Sequence, residues 1–174
     1  HALAALDPDR AELHRQNVWP LWRLSAEQDF KKATHVITNL DQGGLGLPDR
    51  DYYLDTDERS QEIRKQYVAH VERMFGLAGT PAAQAKVAAK DVLRIEHALA
   101  KVSKDKVARR DPVGMYNKID LGGIKAKAPV VDWDAYLKAV GHPGTPDVNV
   151  TSVAFFEGVN ALLSAEKPAA WQNY

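Results

Sequence analysis

The segment DQGGLGLPDRDYYLD, Asp41–Asp55, decides how the chain is organised. Its glycines do not match a dinucleotide-binding fingerprint, which needs a third glycine at a fixed spacing. A P-loop is also excluded, because no Gly-Lys-Ser/Thr follows the glycines. The segment is therefore interpreted as a structural turn between two parts of one fold.

Each residue type in this turn has an expected role. The glycines supply positive φ or allow two backbones to approach closely. The leucines insert into a core, the proline fixes the path into the next segment, and the tyrosines pack between layers. These residues are Gly43, Gly44, Gly46, Leu45, Leu47, Pro48, Tyr52 and Tyr53.

Composition indicates a globular domain with a sizeable core. The chain has 174 residues, 45% of them hydrophobic and 26% charged, with 23 basic and 23 acidic side chains and a formal net charge of zero. A neutral chain gives no indication of a nucleic-acid partner. The absence of cysteine excludes disulfides, thiolate zinc sites and a cysteine nucleophile. No apolar run approaches the roughly 20 residues that span a bilayer.

Before the turn, the sequence predicts a helix and a hairpin. Asp7-Pro8 is a typical helix start, so a short helix is expected within Ala2–Gln16. Alternating polar and apolar residues predict strands at Trp22–Ala26 and His35–Leu40, which would pair as a small hairpin.

After the turn, the apolar spacing becomes helical. One helix has Ile63, Tyr67, Val71 and Met74 on one face and stops near Gly76 and Gly79. The next helix begins with Thr80 as its cap. Its expected core stripe is Ala88, Val92, Ile95, Leu99 and Val102.

The last third predicts a loop over residues 107–129, a short helix at Trp133–Val140 and a short extended piece near Val150. Thr151 is expected to cap a further helix, and Pro168 to open another. The predicted fold is therefore mainly α, a multi-helix domain with one small β-hairpin.

The chain lacks the common catalytic and metal-binding motifs. None of its six histidines forms HExxH, no GxSxG elbow is present, and Asp55–Ser60 lacks the glycine of a calcium loop. No catalytic or metal-binding residue is assigned, and no cofactor is expected in this chain.

Charged residues cluster in the loops instead. Arg beside Asp suits backbone capping and bidentate pairing. We hypothesise that Glu96 pairs with Arg109 or Arg110 where the chain turns back; the alternative is that all three are solvated. The other residues selected from these loops are Arg50, Asp51, Asp111, Pro112, Tyr116, Asn117 and Lys118.

Two long motifs carry a resemblance to a known family. DQGGLGLPDRDYYL resembles the GLPSRDYY segment of the neprilysin and endothelin-converting-enzyme family of zinc metallopeptidases. RRDPVGMYNKIDL, Arg109–Leu121, is similar to that family's R-x-D-P-x-x-x-Y-N-K-M-T-L. LRIEHALAKVS, VDWDAYL and VNVTSVAFFEGVNALLS match further landmarks in the family's order, from about Trp19 onward.

The resemblance implies that residues 1–174 are a single partial domain of a larger peptidase. In the family, a helical domain covers a cavity and restricts substrates to peptides, and a separate domain binds zinc through HExxH and a downstream ExxxD. This chain resembles the covering domain, without the zinc-binding catalytic domain. The implied partners are that catalytic domain of the same polypeptide and, in the whole enzyme, peptide substrates.

The resemblance carries further expectations. The whole enzyme would be a zinc metalloendopeptidase outside the cytoplasm, in the periplasm or extracellular, and the absence of cysteine is more like its bacterial members. The chain alone is predicted to be inactive, and its uncovered apolar surface is expected to favour self-association. Gly122 and Gly123 interrupt a helix that the family usually continues, so that helix should be short or frayed. Two alternatives stay open: a free-standing helical interaction module, and a degenerate family member without zinc ligands.

Overall fold

A computed structural model describes residues 8–174 of the chain. The first element is helix α1, Pro8–Arg15, which agrees with the described part of the helix expected within residues 2–16. Asp7, the expected cap of that helix, lies outside the described residues.

The predicted hairpin is present and belongs to a larger sheet. Strands β1, Trp22–Gln28, and β2, Val36–Gln42, pair antiparallel. Two further strands, β3 (Lys118–Asp120) and β4 (Asp147–Val150), complete a sheet of order β1-β2-β4-β3. Strand β4 is parallel to β2 and antiparallel to β3. The expected extended piece near Val150 is therefore β4.

Three helices follow the glycine turn: α2 (Asp51–Leu54), α3 (Glu58–Leu77) and α4 (Ala82–Val102). The φ of +89° at Gly79 ends α3, as the sequence indicates. The prediction that Thr80 caps α4 is wrong, because α4 begins at Ala82 and its cap position is one residue after Thr80. The Thr80 N–H donates to the Phe75 carbonyl at the end of α3. Pro81 takes the cap position and provides no side-chain hydrogen bond.

The predicted loop over residues 107–129 contains a 3₁₀ turn, strand β3 and helix α5, Leu121–Lys127. Helix α5 forms across its two glycines because the Asp120 side chain accepts from the Gly123 N–H. It is nevertheless short, as expected.

Helices α6 (Trp133–Ala139), α7 (Val153–Ala165) and α8 (Pro168–Asn173) complete the described chain. The prediction that Thr151 caps α7 is wrong by one residue. The Ser152 side chain accepts from the Phe155 N–H at 3.2 Å, whereas the Thr151 hydroxyl donates to Asp41.

The core lies between one face of the sheet and helices α4, α6 and α7. The predicted α4 stripe faces inward, with four members buried and Val102 partly buried. Of these residues, Ile95, Leu99 and Val102 contact this core. None of the helices among residues 8–174 is both long and apolar enough to cross a membrane. The largest fully buried side chains are Trp22, Trp133, Tyr53, Phe155, Phe156, Leu21, Leu40, Ile95, Leu99, Ile124, Leu137 and Val148.

Candidate functional site

The glycine turn passes close to two other backbone segments. Gly44 has a φ of +75°, and a β-carbon there would overlap the Pro20 carbonyl and lie 2.9 Å from Leu99 Cδ1. The Tyr174 hydroxyl lies 2.6 Å from the Gly44 carbonyl oxygen and also contacts that of Pro20. The turn therefore joins the start of the sheet, helix α4 and the last described residue, and only glycine fits at position 44.

A buried carboxylate holds the second half of the turn. Glu96 Oε1, on α4, accepts from the Gly46 N–H at 3.0 Å and from the Tyr67 hydroxyl at 2.8 Å. Its Oε2 accepts from the Tyr53 hydroxyl at 2.9 Å, and the Leu47 N–H donates to that hydroxyl at 2.7 Å. The turn, α2, α3 and α4 thus meet at one side chain, which is only 4% exposed. We call these five residues the Glu96 cluster.

The hypothesis that Glu96 pairs with Arg109 or Arg110 is therefore wrong. Its two oxygens are occupied by hydroxyl and backbone donors, and no ion pair to Glu96 forms among the described residues. Burial raises the pKa of Glu96, although the hydrogen bonds from Tyr67, Tyr53 and Gly46 act in the opposite direction. Burial and the Glu96 charge also raise the pKa of both tyrosines.

Arg109 pairs with the first residue of the turn instead. Its Nη1 lies 2.9 Å from Asp41 Oδ1 and its Nη2 lies 2.8 Å from Asp41 Oδ2, a bidentate arrangement. The Thr151 hydroxyl also donates to Asp41 at 2.5 Å. Burial tends to raise the pKa of Asp41, but hydrogen bonds from Arg109 and Thr151 outweigh it and hold that pKa below its usual value.

An open groove of about 590 Å³ runs along the outside of the turn. Arg50 reaches across one end, where its Nη1 donates to the Ser103 carbonyl at 2.5 Å. Lys106 lies 3.2 Å from Asp49 and 3.5 Å from Asp51. The groove presents polar and cationic groups, which are suited to binding and positioning a polar ligand. The cationic side chains in its wall are Arg23, Arg50, Lys104, Lys106 and Arg109.

The remaining selected residues lie elsewhere. The Tyr116 hydroxyl donates to Asp29 at 2.8 Å, and Lys118 lies 3.3 Å from Asp29 and 3.1 Å from Asp147. Asn117 donates through Nδ2 to the Val150 carbonyl at 2.9 Å, which ties the β3 segment to β4. Asp111 and Pro112 are in an exposed turn, and Pro48 is also exposed. Of the tyrosine pair, Tyr53 is buried and Tyr52 is half-buried.

Sequence reasoning missed a pair of buried amides in the sheet. Asn149 Nδ2 donates to Asn39 Oδ1 at 2.8 Å, and Asn149 Oδ1 accepts from the Asn117 N–H at 2.7 Å. Asn39 is 5% exposed and Asn149 is 6% exposed. The signal was a lone asparagine between β-branched or apolar neighbours in each strand. Asn149 also begins an Asn-Val-Thr sequon, but its amide is buried and bonded within the fold.

The described residues do not fit a zinc ion. No group of three or more histidine, aspartate or glutamate side chains among residues 8–174 lies close enough together to hold a metal.

Comparison with known proteins identifies the family. The sequence profile of the N-terminal part of peptidase family M13 matches residues 9–174. The chain belongs to peptidase family M13. Human endothelin-converting enzyme-like 1 is 36% identical over 159 residues, covering 88% of this chain and 20% of the relative. Guinea pig (Cavia porcellus) endothelin-converting enzyme 1 is 26% identical over 161 residues, with 89% and 21% covered.

Solved structures of similar proteins share the fold. The zinc metalloprotease Zmp1 of Mycobacterium tuberculosis, in complex with an inhibitor, superposes with a TM-score of 0.89 at 25% identity over 95% of this chain and 25% of that one. PepO from Lactobacillus rhamnosis gives a TM-score of 0.73 at 18% identity over 95% and 27% of the two chains, which supports the fold. The chain spans about a fifth of the length of the curated relatives that it matches. The resemblance to neprilysin-like metallopeptidases is confirmed, and so is the mainly helical fold.

Proposed function

We propose that this chain is part of the covering domain of an M13 zinc metalloendopeptidase, where it encloses the active-site cavity and restricts substrates to peptides. The observation that carries this proposal is the match to the N-terminal family profile over residues 9–174. The whole protein would hydrolyse peptide bonds with zinc bound in its catalytic domain, outside the cytoplasm. This chain would contribute shape and substrate exclusion.

The geometry supports a structural contribution rather than a chemical one. The Glu96 cluster and the Arg109–Asp41 pair connect the glycine turn to the sheet and to three helices. Such links make the domain rigid, and a rigid cover is what size selection requires.

The test is the size selectivity of the full-length enzyme. Cleavage of a short peptide, a longer peptide and a folded protein should be compared for the wild type and for Glu96→Ala, which removes the acceptor of three hydrogen bonds in the Glu96 cluster. The proposal expects the variant to lose discrimination between long and short substrates while kcat for the short peptide is retained. Unchanged discrimination in a demonstrably loosened variant would contradict the covering role.

A second measurement concerns the chain itself. The 174-residue chain should show no peptidase activity with or without added zinc, because HExxH is absent from its sequence. Turnover by pure material that a chelator abolishes would overturn the non-catalytic assignment.

A further inference from the structure

The outer edge of strand β1 lacks the protections that sheet edges usually carry. In the sheet order β1-β2-β4-β3, β2 is the only strand beside β1 among residues 8–174. The seven residues of β1 pair with β2 without a bulge, and none of them is proline or lysine. The opposite edge, β3, is only three residues long and includes Lys118. Because short length, bulges, proline and lysine are common ways of blocking a sheet edge, β1 is the edge that is open to another strand.

The backbone groups of Leu24 and Ala26 face this open edge. The Asp29 N–H donates to the His35 carbonyl at 2.9 Å, and this hydrogen-bonded pair continues the β1–β2 register. Bonded and non-bonded pairs alternate along antiparallel strands, so every second residue counted back from Asp29 directs its N–H and C=O towards β2: Glu27, Ser25 and Arg23. Leu24 and Ala26 lie between these residues. Neither makes a backbone hydrogen bond outside the β1–β2 pair within the described part of the chain.

The two charged side chains of β1 have no ion-pair partner among residues 8–174. Arg23 forms no salt bridge there, and Asp41, which lies opposite it on β2, is already held in a bidentate ion pair. Glu27 accepts hydrogen bonds from Ser25 and Asn39, both of which are uncharged. Arg23, Ser25 and Glu27 are exposed and alternate along the strand, so their side chains lie on one face of the sheet.

The sequence of β1 is complementary to itself in an antiparallel register. When Ser25 of one copy is opposite Ser25 of a second copy, each Arg23 lies opposite Glu27 of the other copy. The same register places Leu24 opposite Ala26, so the outward N–H and C=O groups of these residues meet. Every other register that pairs the outward groups loses both Arg23–Glu27 contacts, and some place like charges opposite each other. Hydrogen bonding and charge therefore select the same register.

We propose that a second copy of this chain docks on β1 in a two-fold symmetric, antiparallel strand pair centred on Ser25. Backbone hydrogen bonds between Leu24 and Ala26 join the two copies, and an Arg23–Glu27 ion pair forms on each side of the centre. This surface is polar, and so differs from the apolar surface that the sequence analysis expected to favour self-association. The proposal does not depend on the covering role, so it can fail or hold independently of the proposed function.

The first arm of the test is amide hydrogen exchange of the 174-residue chain, measured by NMR at protein concentrations from about 30 μM to about 1 mM. We expect the Leu24 and Ala26 amides to exchange rapidly in dilute samples and to become protected as the concentration rises. The Ser25 amide faces β2, so it should be protected at every concentration and reports that the hairpin is folded.

Sedimentation over the same concentrations measures the affinity. A single strand pair buries less than the roughly 1,200 Å² of a standard interface, so we expect a dissociation constant on the order of 100 μM.

The second arm reverses the charges. Arg23→Glu and Glu27→Arg each place like charges opposite each other in a pair of identical copies, so each should weaken self-association by about tenfold. A mixture of the two variants brings two acidic side chains opposite two arginines. The mixture should therefore associate at least as tightly as the wild type, and protection of the Ser25 amide checks that each variant is folded.

A matched control separates this register from a general attraction between oppositely charged chains. Lys65→Glu changes the net charge by the same amount as Arg23→Glu, at an exposed position on α3. Mixed with Glu27→Arg, it should associate more weakly than the mixture of the two β1 variants, because Arg23 then still lies opposite an arginine.

Four results would overturn the proposal. The absence of association at about 1 mM would show that the edge does not pair. Association without protection of Leu24 and Ala26 would place the interface on another surface. Protection of these amides that is already complete in dilute samples would mean that the edge is covered within one copy. A mixture of the β1 variants that associates no more tightly than the Lys65→Glu control mixture would contradict the Arg23–Glu27 register.

Discussion

Two carboxylates hold the two ends of the same turn by opposite means. Asp41 is partly exposed and is neutralised by a bidentate arginine, which helps to lower its pKa. Glu96 is 4% exposed and is held by two tyrosine hydroxyls and a backbone N–H, and burial raises its pKa. Asp41, near solvent, is stabilised by an ion pair. Glu96, deep in the fold, is stabilised by neutral donors, because a cationic partner would also have to lose its hydration on burial.

The largest effect is expected from removing the deep carboxylate. Glu96→Ala leaves two hydroxyls and the Gly46 N–H without an acceptor and opens a cavity, so the free energy of unfolding should fall by about 3 kcal/mol. Glu96→Gln keeps the shape and one acceptor, and should cost about 1 kcal/mol. Urea denaturation of the three proteins measures both values. Losses well below about 1 kcal/mol for both variants would show that the hydrogen bonds to Glu96 contribute little.

The same cluster can be broken from the side of the turn. A β-carbon at Gly46 would overlap the Tyr67 hydroxyl and lie 3.0 Å from Glu96 Oε1, so Gly46→Ala should cost about 2 kcal/mol. Gly76→Ala is the matched control, since nothing lies within 4 Å of a β-carbon there. In helix α3 that change should stabilise the fold by about 0.5 kcal/mol. Thermal unfolding of both variants measures these effects. A Gly46→Ala protein as stable as the control would contradict the close contact between position 46 and the Tyr67 hydroxyl.

The ion pair at the other end of the turn should give a smaller effect. Arg109 and Asp41 have side chains 34% and 15% exposed, so part of their attraction is screened. A double-mutant cycle with Arg109→Met and Asp41→Asn should give a coupling energy of about 1 kcal/mol. Lys65→Met with Glu62→Gln is an exposed control pair 3.8 Å apart, for which the coupling should be close to zero. Similar coupling energies in the two cycles would show that the Arg109–Asp41 pair is no stronger than an exposed surface pair.

The smallest effect is a difference in pH dependence. The raised pKa of Glu96 means that the folded state binds its proton more tightly than the unfolded state, so acidification from neutral pH should favour wild type over Glu96→Gln. The lowered pKa of Asp41 has the opposite sign. Its contribution is present above the unfolded pKa of 3.8 and is lost as pH falls through the folded pKa, so the cost of Asp41→Asn should shrink only in strong acid.

Urea titrations of the variants against wild type at several pH values measure the two slopes. Slopes of the same sign for Glu96 and Asp41 would contradict the contrast between the two carboxylates.

Local chemistry explains what the sequence could predict and what it could not. The hairpin, the α4 stripe and the Gly79 helix end depend on neighbours within a few residues, so their patterns were visible. Pairings across the fold were not: Arg109 and Asp41 are 68 positions apart, and Glu96 and Tyr53 are 43 apart. Arg109 was selected as a pairing residue but given the wrong partner, because spacing along the chain does not show which carboxylate the sheet brings to it.

The exact position of a helix cap is another feature that the sequence alone does not predict. Thr151 and Ser152 are both good cap residues, and sequence cannot rank them without knowing that Asp41 accepts from the Thr151 hydroxyl. Likewise, Tyr67 was recognised only as part of a helical face. Its hydroxyl belongs to the Glu96 cluster because it donates to Glu96, which also accepts from the glycine turn.

The parallel pairing of β2 with β4 has a consequence for the order of folding. Thr38 lies opposite Val148. The ribosome must therefore synthesise more than a hundred further residues before the β2 edge of the hairpin can pair with β4. At about 5–20 residues per second on the ribosome, that wait lasts on the order of 5–20 seconds. The α3–α4 hairpin can form during this time from local contacts, whereas the unpaired edge of β2 remains open to other chains. A nascent chain stalled before Asp147 should therefore be the aggregation-prone species, and synthesis of β4 should end that hazard.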